Sequence, residues 1–249
     1  MRLNILEDTI ALLRRAGKRI ALLYCVPTFH NPTGVSLSAE RRVALLDIAA
    51  REQFLVIEDD VYRDLAFDDQ PPASLWSIDH HDCVLRLGSF AKSIAPGLRL
   101  GWISGPETLV QQLCLCGMLD SGGGINHLTA MIVYTFCASG AFDNHVAMLR
   151  RSYAARRTAL EQALHKYLPE SCVVQSAQGG FFTWIRLPEH VSARALLPRA
   201  EALGVSYMPG DLFHLNQSGG NAIRLSHSLY EPEDLVEAAR RIGEILNDE

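Results

Sequence analysis

The sequence of 249 residues has no Cys-x-x-Cys pair and no Cys/His cluster at zinc-ligand spacing, which excludes a zinc-ribbon type of site and a dithiol redox motif. Its six cysteines, at 25, 83, 114, 116, 137 and 172, are scattered among apolar neighbours and read as reduced, buried thiols. Excess positive charge is also lacking. With 23 Lys plus Arg against 28 Asp plus Glu, the net charge of -5 gives phosphate-rich polymers no attractive field, so no nucleic-acid partner is expected through this region. Nor is there an apolar run long enough to span a bilayer: the most apolar stretch, 125–138, contains His127 and follows Asp120 and three glycines. Glu7 and Asp8 near the start, with no small-residue cleavage pattern, argue against a signal peptide. A cytoplasmic protein with no membrane partner is expected, in which the sequon Asn216-Gln217-Ser218 is idle. Gly-x-Ser-x-Gly, a Walker A lysine loop and a strand-following Gly-x-Gly-x-x-Gly are all missing. Gly122-Gly123-Gly124 is read as a loop, and His80 and His81, in a polar Asp-His-His-Asp stretch, as solvated rather than metal-binding; no metal is expected.

What is present is ordinary globular material. Hydrophobic residues at 48% and charged residues at 20% exclude disordered and collagen-like classes, and the length suits one large or two modest domains. Ile20 to Val26 is a continuous apolar run, as in a parallel strand covered on both faces. A helix that Ser38 can cap follows, with Val43, Leu46 and Ala50 on one face, and then a second buried strand at Phe54 to Ile57. Further strands are read at Val84 to Leu87 and Leu98 to Ser104. Strands alternating with helices indicate an α/β architecture, three layers with a mostly parallel sheet. From Phe142 to Leu168 the apolar residues keep a helical period, as in a long helix linking two domains. Shorter strands (172–176, 181–187, 222–226) and helices (192–203, 232–246) then describe a small α+β domain. The expected division is 1–145 and 146–249.

Four loops each follow or accompany a buried strand, where ligands of open α/β sheets bind. They are Pro27-Thr28-Phe29-His30-Asn31-Pro32-Thr33-Gly34, then Glu58-Asp59-Asp60-Val61-Tyr62, then Gly88-Ser89-Phe90-Ala91-Lys92 running on to Arg99-Leu100-Gly101-Trp102, and finally Asn221-Ala222-Ile223-Arg224-Leu225-Ser226. Singly each is ordinary: a turn, a helix cap, a solvated lysine, a strand arginine. In this order and spacing, with Gly179-Gly180-Phe181-Phe182 and Pro209-Gly210-Asp211-Leu212-Phe213, the chain resembles fold type I pyridoxal-phosphate enzymes, the aspartate aminotransferase superfamily. Within it the sequence looks most like the 2-aminoadipate and aromatic aminotransferase group, which also supplies the effector domains of MocR-type regulators.

The resemblance implies pyridoxal 5'-phosphate as cofactor, Lys92 as the Schiff-base lysine that also shuttles the substrate α-proton, and Asp59 as the carboxylate facing the pyridine nitrogen. It implies Asn31 and Tyr62 as donors to the ring's phenolic oxygen, Ser89 and Arg99 as phosphate ligands, and Arg224 as the grip on the substrate carboxylate, with Asn31 also counted as substrate-binding. Lys92, Asp59 and Tyr62 are then the catalytic set, and an α-amino acid and a 2-oxo acid the substrates. His30 is read equally as pocket lining or turn packing, and Phe181 and Phe182 as core before substrate wall. Ala91 stands where many relatives carry serine, which removes one phosphate contact. The resemblance further implies a segment ahead of Met1 carrying the rest of the phosphate cup and an arm that clasps a second subunit of a homodimer. Without it, the chain is expected to expose a sheet edge and an apolar face. The implied activity is transamination, with the effector domain of a MocR/GntR-type regulator or an inactive remnant as alternatives.

Overall fold

The computed structural model describes all residues except 69, 121–125, 216–217 and 249, and the side chains of Met118 and Asp120 are also left undescribed. The Gly122-Gly123-Gly124 loop and the first two residues of the sequon therefore lie outside the described residues. The chain divides into two compact units, the first comprising 1–28, 36–64 and 70–146, the second 29–35, 65–69 and 147–249.

The first unit is an α/β layer structure. Helix α1 (Leu3–Arg15) leads to β1 (Leu22–Cys25), α2 (Ala39–Glu52), β2 (Leu55–Asp59), β3 (Val84–Ser89), the short α3 (Phe90–Ser93) and β4 (Gly101–Ser104). Helices α4 (Glu107–Cys114), α5 (Gly117–Asp120) and α6 (His127–Ala138) follow. The sheet order is β1-β2-β3-β4, with β1, β2 and β3 parallel and β4 antiparallel to β3, so the expected mostly parallel sheet carries one antiparallel edge. Ser38 caps α2 as the sequence indicates, its hydroxyl accepting from the Arg41 amide at 3.5 Å. The inward face of α2 differs from the reading. Leu45, Leu46, Ile48 and Ala49 are buried together with Arg42, whereas Val43 is 52% exposed. Charge does not keep Arg42 out, because its nitrogens all find partners inside. The expectation of a β1 covered on both faces also needs correction: Leu22 and Tyr24 are exposed and only Cys25 is buried. Ile10, Leu45, Leu46, Phe54, Val56, Leu75 and Val84 form the core between the helices and one face of the sheet.

The second unit is built on α7 (Ala141–Tyr167), whose first residues cluster with the first unit. Strands β5 (Val173–Gln175), β6 (Phe182–Arg186), β7 (Met208–Pro209) and β8 (Ala222–Ser226) form an antiparallel sheet in the order β5-β6-β8-β7. Helices α8 (Ala193–Ala202) and α9 (Pro232–Asn247) complete it. Leu160 and Leu164 of α7, Leu196 of α8 and Leu235, Ala239 and Ile242 of α9 pack on Ile185 and Ile223 of the sheet. Pro at the first turn of α9, with its fixed φ, and Glu233 and Asp234 beside the positive helix end set where that helix begins. All six cysteines are free thiols; Cys25 and Cys83 are buried as expected, but Cys114 and Cys116 are exposed. Among the described residues no helix is long and apolar enough to cross a membrane.

Candidate active site

In the first unit the candidate residues gather where adjacent parallel strands end. Side chains alternate along a strand, so Ile57 and Asp59 of β2 share one face, and Tyr24, opposite Ile57 on β1, points the same way. The Tyr24 phenol is long enough to reach one step further and donates to Asp59 Oδ2. The Val61 amide donates to Asp59 Oδ1 at 3.4 Å. Loss of hydration, then the hydrogen bond to Asp59, raises the Tyr24 pKa, which keeps the phenol a donor. Asp60, on the opposite face, is buried and paired with Arg86 at 2.8 Å and Arg63 at 3.6 Å. Two consecutive carboxylates thus have different partners, one a neutral phenol and the other two guanidinium groups.

β3 ends at Ser89, whose hydroxyl accepts from the Ala91 amide at 3.1 Å and so starts the single turn of α3. That turn carries Lys92, with Nζ 5.9 Å from the centroid of the Tyr62 ring; Tyr62 itself is buried. A 3₁₀ turn at Pro96–Leu98 then leads to Arg99, held in the left-handed region at φ 51 and exposed. A non-glycine residue there costs of order 1 kcal/mol or more, and such residues cluster where a loop serves a ligand. The loop is anchored by β4: Gly88 faces Trp102, whose indole lies where a Cβ on residue 88 would sit, 2.0 Å from its nearest atom. Arg86 covers the same ring at 5.1 Å.

Below these residues lies the most buried ionic group of the unit. Arg42, fully buried, donates from Nε to the Leu37 carbonyl at 2.9 Å, from Nη1 to the Ala73 carbonyl at 3.3 Å, and from Nη2 to the Pro27 carbonyl at 2.8 Å and Thr28 Oγ1 at 3.0 Å. It stands 3.6 Å from Glu58, also fully buried, which accepts from the Leu75 and Trp76 amides at 2.8 and 2.9 Å. Burial pushes the Glu58 carboxyl above its ordinary range, and these amides oppose that.

In the second unit the turn at 29–35 carries Asn31, and β8 carries Arg224. The His30 amide donates to Val35 O at 2.9 Å, and the Gly34 amide closes the turn onto His30 O. His30 Nδ1 lies 2.8 Å from Thr33 Oγ1, a contact that makes this ring part of the turn. Gly34 has φ +70, and a Cβ there would meet Phe182 O at 3.1 Å and Ala177 Cβ at 3.3 Å, so any other residue is both strained and crowded. Arg224 Nη1 donates to Asn31 Oδ1 at 2.8 Å, across 193 positions of sequence. Its guanidinium stacks 4.0 Å from the Phe182 centroid and 4.8 Å from that of Phe213. Phe182 therefore flanks a candidate residue and does not simply fill the core.

Within the first unit the structure brings together Asp59, Tyr62 and Lys92, with Ser89 and Arg99 on the loop to either side. Within the second it brings together Asn31 and Arg224. Sequence reasoning missed Tyr24, whose signal was hidden in an apolar run: with one face of β1 exposed, a tyrosine two residues from Leu22 sits on the open face. Among the described residues no group of three or more His, Cys, Asp or Glu could hold a metal.

Known proteins resemble the chain along its length. The chain is 30% identical to aromatic-amino-acid aminotransferase 1 of Thermococcus litoralis, over all of this chain and 60% of that protein. It is 34% identical to the uncharacterized HTH-type transcriptional regulator YdfD of Bacillus subtilis, over 98% of this chain and 50% of that one. The crystal structure of Pyrococcus horikoshii kynurenine aminotransferase, in complex with PMP, superposes with a TM-score of 0.95 at 30% identity, over 100% of this chain and 61% of the other. The chain thus spans half to about three fifths of the length of these relatives. The family model for aminotransferase class I and II matches residues 3–242, and the chain belongs to that family.

Proposed function

We propose that the protein is an aminotransferase dependent on pyridoxal 5'-phosphate, moving an amino group between an α-amino acid and a 2-oxo acid. One observation carries the reading: strand ends of the first unit gather a carboxylate, a phenol and a primary amine, with Lys92 Nζ 5.9 Å from the Tyr62 ring centroid. This donor set fits the cofactor. An amine suits its aldehyde, an anion its protonated ring nitrogen, a phenol its phenolic oxygen, and Ser89 with Arg99 its phosphate. When bound, the cofactor supplies an electron sink that makes the substrate α-proton labile.

The chain's own residues do the rest. Lys92 would take the proton from the α-carbon of the amino acid and, in the reverse half of the exchange, give a proton to the α-carbon derived from the 2-oxo acid. An Asp59 carboxylate would keep a proton on the ring nitrogen, and Tyr62 would donate to the phenolic oxygen. Asn31 spends its carbonyl oxygen on Arg224, which leaves its NH₂ to be the donor to the phenolic oxygen that the family resemblance implies. Arg224, fixed by Asn31 and stacked on Phe182 and Phe213, receives the substrate carboxylate as a planar fork. The reading takes the full-length protein to be a cytoplasmic homodimer.

A second reading is supported by the likeness to YdfD, 34% over 98% of this chain: the same residues would hold the cofactor in the effector domain of a MocR/GntR-type regulator. The test for the main reading uses the protein from its complete reading frame, incubated with pyridoxal phosphate and assayed with a panel of amino donors against 2-oxoglutarate. Turnover that Lys92→Ala abolishes is the expected result. A cofactor absorbance band that survives Lys92→Ala would refute both readings, whereas a Lys92-dependent band without turnover on any donor would favour the regulator.

A further inference from the structure

We infer that Tyr24 is a positioning residue for Asp59: its phenol fixes the carboxylate through one oxygen, so that the charge is presented to a protonated pyridine nitrogen. The inference rests on the reading of Asp59 given above and adds the residue on which that carboxylate depends.

The argument begins with the contrast between the consecutive carboxylates of β2. Asp60 faces inward and is paired with Arg86 and Arg63. A guanidinium partner cancels much of a carboxylate's charge. Asp59 faces the other way and, among the described residues, has a phenol on Oδ2 and the long Val61 amide contact on Oδ1. A neutral donor restricts the side chain to one orientation yet leaves its negative charge in place, which is what a group must do if it is to hold a proton on a neighbouring ring nitrogen.

Strand geometry makes the contact specific. Tyr24 is opposite Ile57 in the parallel register, and its ring spans the gap to Asp59 two residues further on, a reach that aliphatic side chains do not have. Tyr24 is 55% exposed, so the residue is not held there as core filler. A hydroxyl on the open face of a strand could be satisfied by water; this one is committed to the carboxylate.

The experiment uses the full-length protein, freed of cofactor and reconstituted with pyridoxal phosphate labelled with ¹⁵N in the ring. Wild type, Tyr24→Phe, Asp59→Asn and the double variant are compared by cofactor affinity, by the ¹⁵N shift of the bound ring and by thermal midpoint without cofactor. Tyr24→Phe keeps the ring and removes only the hydroxyl. It is expected to weaken cofactor binding about 2- to 10-fold, less than the loss of a hydrogen bond to a charged group because the hydroxyl acts on the cofactor only through Asp59, and to move the ¹⁵N signal part of the way toward that of Asp59→Asn. The cofactor-free thermal midpoint stays at the wild-type value. In the double variant the tyrosine effect vanishes, because a residue acting through Asp59 has nothing left to position. Additive losses in the double variant, or a Tyr24→Phe signal and affinity equal to wild type while Asp59→Asn changes both, would overturn the inference and leave the reading of Asp59 intact. An Asp59→Asn protein that matches wild type in both readouts removes that reading and the inference with it.

Discussion

Arg42 of the first unit and Arg224 of the second show two ways a folded chain uses the same guanidinium. Arg42 is fully buried, holds three carbonyls and a hydroxyl, and faces the buried Glu58. Arg224 is half-buried, faced by one amide oxygen and two aromatic rings. The first ties the end of β1 and the 73–76 segment to α2, so its work is finished once the chain has folded. The second is stacked on two rings and bonded to an amide oxygen, which fits the role proposed for it with a substrate carboxylate. The contrast lies in the contacts each makes: a buried carboxylate and carbonyls hold Arg42, whereas aromatic rings and an amide oxygen orient Arg224.

Substitutions can break this contrast. The largest effect is expected from Arg42→Ala, which strands the Glu58 carboxylate and four acceptors in the core; a loss of about 3–5 kcal/mol in unfolding free energy should appear in urea denaturation. If that variant unfolds at the wild-type urea concentration, Arg42 is not the pin described.

His227 is the second unit's counterpart of a group spent on the fold. It is fully buried, with its ring nitrogens on Gly180 O at 3.2 Å and Thr183 Oγ1 at 3.3 Å. Burial lowers its pKa from 6.5 to about 4, so it is neutral when folded. Below pH 6.5 the unfolded chain takes up a proton that the folded chain refuses. Stability contributed by the neutral ring is complete above pH 6.5 and lost as pH falls toward 4, by roughly 3 kcal/mol. Chemical denaturation of wild type and His227→Phe at a series of pH values checks this: the slope between pH 6.5 and 4 should shrink in the variant, and an unchanged slope would assign the pH dependence elsewhere.

Arg224→Lys should leave the melting temperature within a degree or two of wild type while lowering kcat/KM on the order of 100-fold, because a point charge cannot reproduce the planar fork. Calorimetry and steady-state rates on one preparation separate the two effects, and a drop in stability matching the drop in rate would place Arg224 with Arg42. Gly34→Ala is expected to be milder, costing about 1–3 kcal/mol through strain at φ +70 in the turn that presents Asn31. A thermal midpoint equal to wild type would mean the turn relaxes around the methyl group.

The same contrast explains what could be read from the sequence. Asp59 and Tyr62 are three residues apart, and Ser89, Lys92 and Arg99 fall within eleven positions, so strand ends and short loops bring them into local clusters, which the resemblance, resting on the order and spacing of all four loops, singled out. The link between Asn31 and Arg224 spans 193 positions and exists only after the second unit has formed; in the sequence it was reachable through resemblance alone. Arg42 was invisible because an apolar-period reading of α2 favours Val43, and nothing local announces that carbonyls at 27, 37 and 73 converge on a buried guanidinium. The reading of β1 as fully covered failed for the related reason that an apolar run does not say which of its faces finds a partner. Tyr24 was lost in that same run.

The central claim is that Lys92 is the amine that carries the cofactor. Reduction of the cofactor-loaded, full-length protein with borohydride, followed by peptide mapping by mass spectrometry, tests it directly. A phosphopyridoxyl group on the peptide containing Lys92, at close to one per chain and blocked by Lys92→Ala, is the result predicted. A label on a different lysine, or none on a protein that still transaminates, would contradict it.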